Sequence, residues 1–231
     1  MSTTPVRQPI LNAPAAVRWL VGATVVLHAI RIILPIQWDN WVIENFAFIS
    51  SRYSGADHGG DPLALLWMPI THLFIHADWM HLILNMAFLL AFGSAIGRRM
   101  GAPQFLIFYA VCGAIAAFLW FVFFPDSIAV LVGASGAISG MVGAAARVSI
   151  WPPRHASSAL PFWRRSTVIA FVAIWMFLNI VFGVFPFLWG ETYGGIAWQA
   201  HLGGFVAGFL LIGAFDGRGR LEPIASSYRF M

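Results

Sequence analysis

The stretch GASGAISGMVGAAARVSIW, residues 133–151, decides how this chain folds. Four glycines that would let another helix approach closely recur along it, at positions 133, 136, 140 and 143. Because the run ends before Pro152, a helix that begins at Ser135 has at most about seventeen residues, or ~25 Å, which is shorter than the hydrocarbon core of a bilayer. If its inner end reaches the cytoplasmic interface, Ser135 lies below the outer membrane surface.

The composition of the whole chain is that of an integral membrane protein. Of its 231 residues 60% are hydrophobic and 10% charged, and the mean hydropathy is +0.80. The apolar windows are about twenty residues long, which suits helices crossing a core of ~30 Å rather than the strands of a membrane barrel. We therefore predict an all-α fold with six transmembrane helices, spans one to six, at residues 19–36, 78–97, 104–124, 135–151, 167–186 and 196–215.

The charges predict the orientation of these spans. Residues 1–231 are expected to form a single membrane domain with tails at 1–18 and 216–231. Eleven of the thirteen arginines fall on one side of the spans and seven of the nine acids on the other. By the positive-inside rule both tails are cytoplasmic. Since the arginines serve to orient the spans, no nucleic-acid partner is predicted.

The first loop, residues 37–67, is long and aromatic. Trp38, Trp41 and Trp67 lie there beside acids and glycines. Amphipathic aromatic residues favour the membrane interface, so we predict that the loop lies in the outer interface. A solvated, partly disordered loop is the alternative.

Polar residues gather at the outer ends of three spans. With both termini inside, spans two, four and six all enter from the outer face. Near the starts of these spans lie, in that order, His81 with Asn85, then Ser135, then His201. Polar side chains within a bilayer are costly and usually functional, so this convergence predicts a site.

Small residues predict how two of these spans meet. Gly204 and Gly208 on span six offer a face that matches the glycines of span four, among them Gly133 and Gly136. Helices with such faces pack backbone to backbone. The packing would bring the histidine of span six toward the serine of span four.

A serine and a histidine are sufficient for acyl transfer. A neutral imidazole can take the hydroxyl proton of Ser135 and so activate its oxygen. The developing oxyanion needs donors, for which the Ser135 backbone N–H and the side chains of His81 and Asn85 are candidates. No acid lies close to His201 in sequence, so a third member of a triad is not evident.

This combination resembles the rhomboid family of intramembrane serine proteases. The resemblance covers all six spans and rests on HADWMHLILN at 76–85, GASG at 133–136 and AHLGGFVAG at 200–208. It implies that Ser135 is the nucleophile, His201 the general base, His81 and Asn85 the oxyanion-side residues, and Gly204 the small residue that packs span six on span four.

The resemblance also implies a setting for the protein. Its substrates are expected to be transmembrane proteins cut near the outer leaflet, in contact with membrane lipid and without a cofactor. The compact six-span form fits a member of the bacterial inner membrane. No oligomeric state is predicted.

Two positions depart from the family pattern. Many members have Trp-Arg shortly before span two, whereas Trp67 is followed here by Met68, which puts the structural role of that arginine in doubt. Many members also have an aromatic residue four positions after the nucleophile that packs on the catalytic histidine. Here that position is Ser139, so the orientation of His201 must come from elsewhere.

Other histidines suggest a metal site that we do not predict. His72 and His76 are four residues apart and would share a helix face if one helix continued through them. Asp78, however, has the character of an N-cap that begins span two. This places both histidines in the lead-in to the helix, and no metal ligand is assigned.

Two other functions compete with proteolysis. A non-catalytic rhomboid-like protein that binds transmembrane clients would be expected to lack the nucleophile or the base, and both are present. A small-solute transporter is disfavoured because the spans show no acidic relay and no paired broken helices.

Overall fold

The computed structural model describes residues 12–57, 59–150, 162–185 and 197–216. Most of the predicted tails at 1–18 and 216–231 therefore lies outside the described residues. The described part of the chain is mostly helical. The α-helices are α1 (Ala15–Arg31), α2 (Ile36–Phe46), α3 (Ser50–Ser54), α4 (Met68–Thr71), α5 (Trp79–Phe88), α6 (Ser94–Gly97), α7 (Ala102–Phe123), α8 (Ser135–Ile150), α9 (Phe162–Val184) and α10 (Trp198–Phe215). Two short strands, β1 (Phe48–Ile49) and β2 (Val130–Leu131), complete the described elements.

Each predicted window contains helix. The windows correspond in order to α1, α5 with α6, α7, α8, α9 and α10, and a π-helical turn at Leu89–Gly93 joins α5 to α6. Among the described residues, three helices are long and apolar enough to cross a membrane, namely Trp79–Gly97, Ala102–Phe123 and Trp198–Phe215, and Arg165–Val181 is a shorter apolar segment. The all-α class is confirmed, and the count of six spans stays a prediction.

The first helix lies four to five residues earlier in the chain than the predicted window 19–36. It ends at Arg31 rather than at residue 36, and a separate helix, α2, begins after Pro35. Residues 32–34 are apolar and so extend the hydropathy window, but the residue before a proline is disfavoured in helical conformation. The apolar sequence therefore continues for three residues beyond the end of α1.

Helix α8 lies at the centre of the bundle. Every residue from Gly136 to Ala144 is buried, and α5, α7, α9 and α10 all contact this helix. A helix surrounded on all sides must offer a narrow surface, which its glycines and alanines provide. The small-residue run at 133–151 is therefore the part of the chain around which the other helices pack.

The backbones of α8 and α10 are in contact. A methyl group added at Gly204 would lie 1.9 Å from the carbonyl oxygen of Gly136, and one at Gly208 would lie 1.8 Å from that of Gly140. Neither position has room for any side chain. This contact sets the register that brings His201, one turn before Gly204, to the beginning of α8.

A buried arginine holds the first loop. The guanidinium of Arg52 donates from Nη1 to the Glu44 carbonyl at 2.7 Å and from Nη2 to the Asp61 carbonyl at 2.7 Å, and the residue is 7% exposed. Trp67 Nε1 adds a bond to the Asn45 carbonyl at 2.8 Å. Many family members have an arginine directly after this tryptophan, where this chain has Met68. Here Arg52, from an earlier part of the loop, provides the guanidinium that holds the loop together.

The same loop is paired with the segment that leads to Ser135. Strands β1 and β2 are antiparallel, with Phe48 opposite Leu131 and Ile49 opposite Val130. The described first loop is therefore ordered against the body of the protein, contrary to the alternative of a disordered loop. Its pairing positions the chain just before the turn into α8.

Candidate active site

The chain enters α8 through a glycine turn. Gly133 has φ +109°, a conformation that residues with a side chain rarely adopt, and its N–H donates to the His72 carbonyl at 3.0 Å. Ser135 follows as the first residue of the helix. The N–H groups of a first helical turn have no partner within the helix, so they are available at this end of α8.

Ser135 and His201 are in direct contact. Nε2 of His201 lies 2.7 Å from Oγ of Ser135, within hydrogen-bond distance, although 66 residues separate the two in sequence. The second serine of the motif is oriented differently. Ser139 is buried, and its hydroxyl donates to the backbone oxygen of Ser135 at 2.7 Å. Of the two hydroxyls, that of Ser135 is the one bonded to an imidazole.

The orientation of His201 comes from α9. Oδ1 of Asn179 is hydrogen-bonded to Nδ1 of His201, and the indole of Trp175 stacks on the imidazole with ring centroids 6.3 Å apart and planes at 26°. Sequence reasoning missed both residues. Asn179 carried a usable signal, because it is a polar residue inside the fifth apolar window, and the same rule that singled out His81 applies to it.

His81 lies directly over the glycine turn. A methyl group added at Gly133 would be 2.7 Å from Nε2 of His81 and 3.8 Å from Oγ of Ser135. The start of α5 is capped by Asp78, whose carboxylate accepts from the His81 N–H at 2.8 Å, as predicted. The structure thus brings the His81 ring to the beginning of α8 and leaves Gly133 no room for a side chain.

Asn85 lies one turn further along α5. It is buried, and its amide nitrogen donates to the His81 carbonyl at 2.8 Å. Within the described part of the chain, Oδ1 of this amide has no hydrogen-bond partner. The amide is therefore attached to the backbone of α5 through one N–H, and it retains a second N–H and a carbonyl oxygen.

His76 is a further buried histidine beside the site, to which sequence reasoning gave no role. Its Nε2 accepts from the Ala134 N–H at 3.4 Å, and its ring centroid is 5.0 Å from that of His81. Its backbone carbonyl accepts from Arg31 at 2.9 Å. These contacts attach the turn before Ser135 to the lead-in of α5 and to α1.

Burial keeps two lead-in histidines neutral. It lowers the pKa of His76 to about 3 and that of His72 to about 4, because the charged imidazolium loses its hydration. Nδ1 of His72 donates to the Met68 carbonyl at 3.0 Å. Both rings are engaged with backbone groups, and no group of three His, Cys, Asp or Glu in the described ranges could hold a metal ion.

The chain is similar to a known protein family and to several known proteins. Residues 64–216, more than half of the chain, match the family model described as Rhomboid domain. The chain is 26% identical to Rhomboid-like protease 3 of Toxoplasma gondii over 88% of its own length and 70% of that protein. It is 31% identical to Putative rhomboid protease YdcA of Bacillus subtilis over 63% and 65%. It is 29% identical to RHOMBOID-like protein 6, mitochondrial, of Arabidopsis thaliana over 63% and 42%, so it spans less than two thirds of the latter two relatives.

Proposed function

The chain belongs to the rhomboid family of integral membrane proteins, and from that premise we propose that it is an intramembrane serine endopeptidase. Ser135 is the nucleophile and His201 the general base. The observation that carries the proposal is the 2.7 Å contact between His201 Nε2 and Ser135 Oγ. The relatives named above as rhomboid proteases support the same reaction class.

The reaction follows from these two groups. His201 Nε2 takes the proton of Ser135 Oγ as this oxygen bonds to the scissile carbonyl carbon, giving a tetrahedral oxyanion and an imidazolium. The imidazolium then donates its proton to the leaving nitrogen as the C–N bond breaks, which leaves an acyl-enzyme. Water, deprotonated by the same Nε2, attacks the ester, and collapse of the second tetrahedral intermediate returns the proton to Ser135.

The oxyanion is stabilised by groups at the entrance to α8. The backbone N–H of Ser135 is one donor, and the side chains of His81 and Asn85 supply the others. The position of His81 over Gly133 supports this assignment. So does the burial of Asn85 with part of its amide unused.

Replacing Asn85 with alanine is expected to lower kcat by about 10²-fold, since a donor that meets charge only in the tetrahedral intermediate contributes to turnover rather than to binding. KM for a model transmembrane substrate should change little. Leu84→Ala, which removes an exposed apolar neighbour on the same helix, is the matched control and should keep both constants. A raised KM with unchanged kcat would instead identify Asn85 as a substrate-positioning or packing residue.

The substrates are transmembrane proteins cut near the outer leaflet. An intact membrane helix shields its carbonyls and has its amides already bonded, so a segment weakened by glycine or other poor helix formers is favoured near the cut. Span five is the candidate side for entry. Its outer end runs through Gly183, Pro186 and Gly190, of which only Gly183 lies within the described residues, so the sequence alone supports this assignment.

The proposed setting is a bacterial inner membrane with both termini in the cytoplasm. The arginine distribution supports this orientation, which places the start of α8 near the outer leaflet. A reporter active only outside the membrane, fused after Met231, is expected to stay silent. A strong signal from that fusion would overturn the topology.

A fluorophosphonate probe tests the serine chemistry directly, because it reacts covalently with an activated serine. Detergent-solubilised protein is expected to be labelled at Ser135, as mapped by mass spectrometry of the modified peptide, and to cleave a model transmembrane substrate. Ser139 provides an internal control on the same helix. Absence of both labelling and cleavage in folded protein would favour the alternative of a non-catalytic protein that binds transmembrane clients.

A further inference from the structure

The side chain of Asn179 is held in one orientation. It is 8% exposed, and its Nδ2 donates to the Trp175 carbonyl at 2.7 Å. A carbonyl can only accept, so the amide nitrogen must face it, which directs Oδ1 toward the imidazole of His201. Asn179 therefore presents an acceptor, and no donor, to Nδ1 of His201.

This acceptor determines where the imidazole carries its proton. A neutral imidazole has one N–H, and Nδ1 must hold it to bond with Oδ1 of Asn179. Nε2 is then unprotonated, and its lone pair faces Oγ of Ser135 at 2.7 Å. In the other tautomer Nε2 would itself be a donor and could not accept the serine proton.

Three residues on one face of α9 make these contacts. They are spaced four residues apart. Phe171 packs on Phe92, Trp175 stacks on the imidazole of His201, and Asn179 is hydrogen-bonded to Nδ1 of the same imidazole. Residues four apart on a helix share a face. The orientation of the base thus depends on how α9 is packed against α10.

We propose that Asn179 is a positioning residue that holds His201 in the Nδ1–H tautomer and so keeps Nε2 ready to accept the Ser135 proton. This rests on the proposed proteolytic function and goes beyond it. Asn179 adds a third group, from α9, to Ser135 and His201. Its amide takes the position beside the histidine that an acid occupies in a catalytic triad. Trp175 assists by limiting rotation of the ring.

Three variants separate positioning from packing. Asn179→Leu is close in size but lacks both the acceptor and the donor, and it is expected to lower kcat by about 10²-fold, the lower end of a general-base contribution, with KM changed less than about twofold. Asn179→Asp keeps the acceptor and is expected to retain most of kcat. Ile180→Ala, a neighbouring α9 position 39% exposed, is the matched control and should keep wild-type constants.

The pH profile adds a readout that a purely structural residue would not move. The carboxylate of Asn179→Asp stabilises the imidazolium, so a higher pH is needed to free Nε2. The acidic limb of the kcat profile should shift to higher pH in this variant. The midpoint of thermal unfolding in detergent, measured alongside, should stay within a few degrees of wild type in all three variants.

The tautomer can also be observed without any change at Asn179. In protein labelled with ¹⁵N-histidine, the NMR signals lost in His201→Gln belong to His201, and they should report a proton on Nδ1. A proton on Nε2 would overturn the proposal even if Asn179→Leu failed to fold.

The kinetic outcomes are equally decisive. A wild-type kcat in Asn179→Leu overturns the positioning role. So does a kcat that falls together with the midpoint of thermal unfolding and is not restored in Asn179→Asp. In those cases the proposed function still stands if the wild-type protein cleaves the substrate and Ser135→Ala does not. If folded wild-type protein neither cleaves nor is labelled at Ser135, the proposed function fails and the role of Asn179 fails with it.

Discussion

Replacing Ser135 with alanine is expected to reduce cleavage of a model transmembrane substrate by about 10⁴-fold or more, because the variant has no oxygen that can form the acyl-enzyme. The Ser135 hydroxyl is the one bonded to His201 Nε2. His201→Gln removes the base and should give a loss of similar size, since the two residues act as a unit. Initial rates against the same substrate in detergent or proteoliposomes measure both effects.

Ser139 provides the matched control for this experiment. It lies one turn further along α8, and its hydroxyl is bonded to the Ser135 carbonyl rather than to an imidazole. Ser139→Ala should therefore keep activity within a few-fold of wild type. Loss of activity in Ser139→Ala together with retention in Ser135→Ala would move the nucleophile one helical turn inward and contradict the assignment.

Features encoded locally were predictable from the sequence. The start of α5 is an example, because Asp78 is both the expected and the observed cap of the helix. The approach of α8 and α10 is another, since glycines four residues apart on each helix restrict the possible partners. In each case the information lies within a few consecutive residues.

Features that depend on the rotation of one helix against another were not predictable. Asn179 is 22 residues from His201 in sequence, and whether its amide meets the imidazole depends on which face of α9 is turned inward. Arg52 is similar, because its carbonyl partners at Glu44 and Asp61 meet only after the loop has folded back on itself. Hydropathy identifies polar residues that need a partner but does not say which partner they find.

Replacing Gly204 with alanine is expected to cause a large loss of stability. The added carbon would lie 1.9 Å from the carbonyl oxygen of Gly136, and the obstructing atom is backbone, which cannot rotate away as a side chain can. The helices must therefore separate. Overpacking of a rigid site costs about 3 kcal/mol, the upper end of the usual range.

The same helix contains the control. Among the described residues, nothing apart from the backbone of its own helix lies within 4 Å of a carbon added at Gly213, so Gly213→Ala should be neutral or more stable by up to about 1 kcal/mol because alanine favours the helix. The midpoint of unfolding by sodium dodecyl sulfate in mixed micelles compares the two variants with wild type. Separation of α8 and α10 would also draw His201 away from Ser135, so cleavage by Gly204→Ala should fall with stability. Equal midpoints for both variants would show that the helix backbones do not approach as closely as the structure indicates.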